Sequence, residues 1–507
     1  MSLRKRLIAI ILLVAMTVSL ILVGKNGFSL PQEQQEPLFG RKDTIYFWYT
    51  DDALTDYVNS AAISFGEQND VRVIPVLKSG REYVEAVNYA SLHEEEQMPD
   101  VYLLSNDSLG KAYLAGLAAE VKGGNVCTTE HFPQAALSAV TYDGRIVAYP
   151  YYFETSAYLY NKTYLEDFIR AQKEEQAEPK EADGSETQDQ DSGEQEGEEA
   201  QETEEQFFVP QEELEAGVQE LLPETMDELL SFADSYVAPE AVESILKWDV
   251  SDIFYNYYFI GQYMVVGGEA GVDLNQIDIY NLESIACLKA YQKLNQFFYI
   301  DPDTVTYEEV LQEFIDGKVV FSVVTNDAVA RLEEAKEDGS FAYDYGIMPV
   351  PRISDTLEGR SLSVTNAVVI NGYSEKQELA NQFAAYLTTE YLENLYDRTG
   401  KTAAAYDVTY EQESLNAFAA EYANSIPMPK MIETSNFWIQ LEILFSRVWN
   451  GENINDLVRE LSEQMMTQVL GTPYTEEYLE EPPEETEEDV EYIDDGEPIS
   501  DDAVIDQ

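Results

Sequence analysis

The chain has 507 residues, 45% hydrophobic and 12% aromatic, enough to fill a buried core although 97 Asp and Glu face only 30 Lys and Arg. A formal net charge of −67 repels phosphate backbones and anionic headgroups, which excludes nucleic acid as the main partner. Two histidines, His93 and His131, and two cysteines, Cys127 and Cys287, are too few for the usual zinc, Cys/His or Ser/His/Asp arrangements, so no metal, cofactor or catalytic set is expected.

Arg4, Lys5 and Arg6 precede a run from Leu7 to Val23 that is apolar except for Thr17 and Ser19, the layout of an export signal. The flank offers no A-x-A cleavage site and no cysteine to lipidate, so residues 1–24 read as an uncleaved membrane anchor in preference to a cleaved signal peptide. Residues 25–42, rich in Gln, Glu and Pro, read as a spacer that lifts the domain off the membrane. The expected place is therefore the outer face of the cell membrane.

Runs of β-branched and aromatic residues then alternate with amphipathic segments. Thr44–Thr50 is a strand, Leu54–Gln68 a helix, Val71–Leu77 a strand, Glu82–Leu92 a helix and Asp100–Leu104 a strand. Such β-α-β-α-β alternation implies a mainly parallel sheet with helices on both faces, and ligands then sit beyond the carboxyl ends of its strands. The polar residues there are Thr50, Asp51 and Asp52 after the first strand and Ser105, Asn106 and Asp107 after the third. Asp52 is also placed to cap the following helix, and Trp48 is expected in the core.

Arg145–Ala148 and Ala157–Asn161 read as extended stretches flanking an aromatic cluster, Tyr149, Tyr151, Tyr152 and Phe153, that ends in Glu154. A carboxylate among aromatics needs a partner, either a ligand hydroxyl or a hydrogen bond inside the protein. From Lys173 to Gln206 there are 15 acids and two lysines, and from Pro473 to Gln507 there are 16 acids and no base. Neither stretch has apolar periodicity, so 173–206 reads as a disordered insertion and 473–507 as a mostly disordered tail. Both lack the EF-hand pattern that would make them calcium sites. Leu457, Leu461, Met465 and Val469 recur every four residues as the buried stripe of a C-terminal helix. Cys127 and Cys287 lie far apart in sequence, as consistent with two buried thiols as with a disulfide.

The string YDGRIVAYPYYFETSAYLYNK, Tyr142 to Lys162, resembles the segment by which extracellular solute-binding proteins of the maltose-binding type cross from their first lobe into their second. Further segments resemble that family in the same order: PDVYLLSNDSLGKAYLAGLAAEV from Pro99, FIDGKVVFSVVTN from Phe314, YGIMPVP from Tyr345, AVVINGYSEKQELANQFAAYL from Ala367 and PMPKMIETSNFWIQL from Pro427. The resemblance covers essentially the whole globular part. It implies an α/β two-lobed receptor that closes by a hinge on a sugar, monomeric, without enzymatic activity and partnered by the permease of an ABC importer. The first lobe would take residues 43–153 and 368–415, the second 154–367 and 416–471, with the acidic insertion protruding from the second. Asp52, Asp107 and Glu154 match acidic positions that bind sugar hydroxyls, Trp438 matches a platform tryptophan, and Tyr257 lies near a matching aromatic.

The departures point away from maltodextrin itself. Leu104 and Ser108 stand where that family has a tryptophan and an arginine, and Thr325, Asn326 and Asp327 stand where it places another stacking tryptophan. Two rivals carry different expectations: an anchored surface sensor or adhesin of the same fold, and a glycosidase using Asp107 and Glu154 as its carboxylate pair.

Overall fold

The computed structural model describes residues 42–79, 82–93, 95–122, 126–177 and 208–482. The expected membrane segment, nearly all of the spacer and most of both acidic stretches lie outside the described residues. Among the described residues no helix is long and apolar enough to cross a membrane.

The first lobe opens as β1 (Thr44–Tyr49), the helix Thr55–Asn69, β2 (Arg72–Leu77), the helix Tyr83–Leu92 and β3 (Val101–Ser105), each within a residue or so of the range read from sequence. Alternation places Ile45, Phe47 and Tyr49 in one core and Trp48, with Tyr102 and Leu104, in the core on the other face of the sheet. Next comes a hairpin of β4 (Thr141–Tyr142) and β5 (Arg145–Ile146). Asp143 and Gly144 turn it with positive φ of 49° and 71°, the backbone that a two-residue hairpin requires.

The aromatic cluster is itself strand. β6 (Tyr149–Asn161) runs unbroken through 13 residues, where two extended stretches around a separate cluster were expected. Burial on both faces explains the composition, because a strand at the centre of a sheet needs apolar or aromatic side chains above and below. The second lobe adds β7 (Ser244–Leu246), a small ribbon of β8 (Val265–Val266) and β9 (Ile277–Asp278), then β10 (Val319–Thr325) and β11 (Tyr345–Met348). The chain returns through β12 (Leu362–Ile370), adds β13 (Thr402–Ala403) and β14 (Ile426–Pro427), and ends on the helices Phe437–Trp449 and Ile454–Leu470.

One path of strands, β2-β1-β3-β12-β6-β10-β7, joins the lobes through β6. Tyr149–Thr155 pair with β12, and Ser156–Asn161 pair with β10 or β11. The chain leaves along β6 and comes back along β12, so these two are antiparallel, as are β12 with β3 and β10 with β6. The sheets are therefore mixed, not mainly parallel as the early βαβ units suggested. All of β12 lies in the first sheet, so the return crossing precedes Leu362 and does not fall at Ala367/Val368. Likewise β14 still pairs with β12, which moves the last crossing from Leu415/Asn416 to beyond Pro427.

Leu457, Leu461 and Met465 are buried in the second-lobe core with Trp248, Tyr291 and Trp449. Cys127 and Cys287 are separate buried thiols, pushed up to about 12 by burial. The expected insertion begins as helix, since Lys162–Ala177 continues past Lys173. The expected tail starts as a docked strap. Tyr474 N donates to Thr467 Oγ1 (3.0 Å), Leu479 N donates to the Tyr280 hydroxyl (3.0 Å), and Glu481 accepts from Asn455 (2.9 Å) and pairs with Lys289 (2.5 Å). Those polar partners hold a segment whose composition alone promised no packing.

Candidate functional site

The floor between the lobes is the β6/β12 pair, where Glu154 lies opposite Val364 and Tyr152 opposite Asn366. Glu154 is the one exposed residue of β6, and no hydrogen bond from a described residue reaches its carboxylate. Phe153, Val364, Gly400 and Lys401 form the first-lobe side of a cavity of about 500 Å³, and Asp252, Phe254, Tyr255, Tyr307, Glu308 and Thr325–Asp327 form the second-lobe side.

Local chemistry fixes each wall. Asp252 caps the helix Ile253–Asn256 by accepting from Phe254 N (2.8 Å), which aims Phe254 and Tyr255 at the cleft. Thr306 caps the helix Tyr307–Ile315, and the rings of Tyr307 and Tyr255 stack at 5.0 Å and 16°. Gly400, with φ of 69°, ends the helix Leu395–Thr399 in the left-handed turn that delivers Lys401.

Charges in the cavity are partly paired. Lys401 binds Asp51 at 2.7 Å and lies 5.4 Å over the Tyr152 ring. Arg331 grips Glu308 through two bonds of 3.0 and 2.6 Å. Asp327 accepts from the Tyr307 hydroxyl (3.0 Å) and from Thr325. Solvent reaches Glu154, yet the crowding walls desolvate it enough to raise its pKa; Lys401 opposes that rise, and Asp327 and Asp51 add to it. Burial also raises Asp252, with its bond from Phe254 N opposing and Asp249 adding.

A second cavity of about 330 Å³ is lined by Asp107, Ser108, Lys111, Met428–Ile432 and Trp438. Asp107 accepts from Ser105 there. Asp107 and Glu154, weighed as a hydrolytic pair, thus line different cavities.

Of the residues picked out by sequence, the larger cavity gathers Glu154, Thr325, Asn326 and Asp327, with Asp51 joined through Lys401. Asp107 and Trp438 share the smaller one. Thr50 and Asp52 are exposed but line neither. The helix cap expected of Asp52 belongs to Asp51, which accepts from Ala53 N (3.0 Å). Tyr257 is buried behind Trp438, the ring centroids 5.9 Å apart.

The two asparagines serve backbone. Asn106 donates to Met428 O (2.7 Å) and accepts from Thr365 N (2.8 Å), while Asn326 donates to Phe153 O (3.0 Å) and Thr402 Oγ1 (2.9 Å). Each satisfies peptide groups that are buried where the lobes meet. Sequence reading missed Asp252, Phe254, Tyr255, Tyr307 and Lys401. The run FYNYYF, after a capping Asp252, was a visible signal for three of them; Lys401 meets Asp51 across a separation no local pattern encodes.

A family model described as bacterial extracellular solute-binding protein matches residues 60–413. The maltodextrin-binding protein MdxE of Bacillus subtilis is 22% identical over 425 residues, 81% of this chain and 87% of that protein. Among solved structures, the extracellular solute-binding protein of Staphylococcus aureus in complex with maltose is 18% identical, with a TM-score of 0.66 over 85% of this chain and 99% of that one. The maltose-binding periplasmic protein MalE of Listeria monocytogenes is 20% identical, with a TM-score of 0.64 over 86% and 100% of the two chains. These structures share the two-lobed α/β fold, and the match over most of the chain shows that it belongs to the bacterial extracellular solute-binding proteins.

Proposed function

We propose that this protein captures a mono- or oligosaccharide between its lobes and presents it to the permease of an ABC-type importer, without chemical turnover. The observation that carries the reading is Glu154, a carboxylate with no hydrogen-bond partner among the described residues, which lines the cleft together with the stacked Tyr255 and Tyr307. Sugars present hydroxyl rims and apolar C–H faces, and a site pairing carboxylates with aromatic rings answers both. The maltodextrin-binding and maltose-bound relatives support this choice of ligand class.

Ligand contacts are assigned to Glu154, Asp327, Asp252, Tyr255, Tyr307 and Lys401 in the larger cavity and to Asp107 and Trp438 in the smaller. Export through residues 1–24 accords with the extracellular family, and the retention of that segment as an anchor is part of the proposal. Glu154→Ala and Trp438→Ala are each expected to weaken saccharide binding by more than tenfold while the far-UV circular dichroism stays unchanged. Unaltered affinity in both variants would place the site elsewhere.

A further inference from the structure

The larger cavity is unbalanced in both charge and hydrogen-bonding capacity. Lys401 pairs with Asp51 and Arg331 with Glu308; Lys401 also acts on Glu154 and Arg331 on Asp327, but among the described residues none of Glu154, Asp252 and Asp327 has a cation in ion-pair contact. Its donors are mostly engaged as well. The Tyr307 and Thr325 hydroxyls point to Asp327, the Lys401 ammonium to Asp51, and the Asn326 amide to Phe153 O and Thr402. The site therefore offers acceptors and negative charge and asks its ligand for donors.

A neutral sugar hydroxyl donates one hydrogen bond and brings no charge, whereas an ammonium donates three and is attracted by each carboxylate. The same groups crowd one another, since Asp327 and Asp51 both raise Glu154 and a bound cation would relieve them.

We propose that the ligand is an amino sugar carrying a free, protonated amine, seated with that amine at Glu154 and a sugar ring against Tyr255 and Tyr307. This rests on the saccharide-receptor reading and sharpens it.

Calorimetric titration of the full chain tests it, with glucosamine and its β-1,4-linked dimer to tetramer against the N-acetylated counterparts and maltose to maltotetraose. The expected result is that a free-amine series binds at least tenfold more tightly than its acetylated partner, weakens as salt is raised, and loses that preference in Glu154→Gln. Equal or tighter binding of a neutral series, unchanged by Glu154→Gln, would overturn the amine while leaving the receptor reading intact. Binding of spermidine as tight as that of the amino sugars would also overturn it, because the carboxylates would then be attracting any cation. No binding of any saccharide would remove the receptor reading and this inference with it.

Discussion

Glu154 is placed where its charge costs the free protein stability. Its carboxyl pKa is raised in the fold, so the folded state holds more protons than the unfolded one between the ordinary carboxylate value and the raised one. Stability from this group therefore falls as pH rises through that window. Glu154→Gln is expected to raise the melting temperature of the ligand-free protein at pH 7 and to lose that advantage below the ordinary carboxylate range, even as it weakens binding; thermal melts at the two pH values check this. Lys430 shows the opposite charge under the same constraint. Its side chain is 1% exposed, its ammonium donates to Ser138 O (2.9 Å), and burial lowers it to about 7. The unfolded chain binds the extra proton between about pH 7 and the ordinary lysine value near 10.5, so this group's contribution rises with pH across that range. Lys430→Met is expected to stabilise most at pH 6, with the gap to wild type closing toward pH 10, as read by urea unfolding. Both residues stood in plain view in the sequence, but only Glu154 was singled out. Its setting among aromatics was local, whereas Lys430 owes its burial to packing against Ser138, on a helix nearly three hundred positions earlier.

The crossing elements do most to place the cleft. Phe153 of β6 stacks on Tyr422 at 4.0 Å and 3°, and Thr365 of β12 bonds the Tyr422 hydroxyl (2.7 Å), so the helix Glu413–Asn424 clamps both strands. On the preceding residue, buried Glu421 accepts from Ser361 Oγ (2.6 Å) and from Val350 N (3.2 Å), the two ends of the return crossing. Removing it strands both donors, and Glu421→Ala is expected to cost about 2–4 kcal/mol in denaturant unfolding, with Glu421→Gln costing less because one acceptor remains. The early βαβ units were legible because each strand and helix carries its own period. The long strand β6 was not, because aromatic residues on both faces erase alternation and leave only a run of buried positions. Asn106 and Asn326 looked like ligand groups for a related reason: a polar residue after a strand has the same sequence signature whether it faces a sugar or braces a neighbouring peptide.

Across the whole molecule, two lobes share one strand path and enclose the cavity between them, an arrangement in which a ligand gains by contacting both sides. The overall architecture was readable from the ordered series of family-like segments, but the lobe boundaries were displaced, because a segment's resemblance does not mark where the strand changes sheets. The docked strap at 473–482 escaped notice because its acids resemble those of the rest of the tail. A chain ending at Gly471 loses its bonds to Thr467, Tyr280, Asn455 and Lys289, and is expected to melt several degrees lower with saccharide affinity unchanged. The central claim, that the cleft receives a saccharide, is tested most directly by thermal-shift measurements on the full chain against mono- and oligosaccharides, with amino acids and calcium as controls. A saccharide at a hundred times its dissociation constant contributes ~2.7 kcal/mol, so the account predicts a rise in melting temperature with one sugar family and none with the controls. A cooperative melt that no saccharide shifts would contradict it.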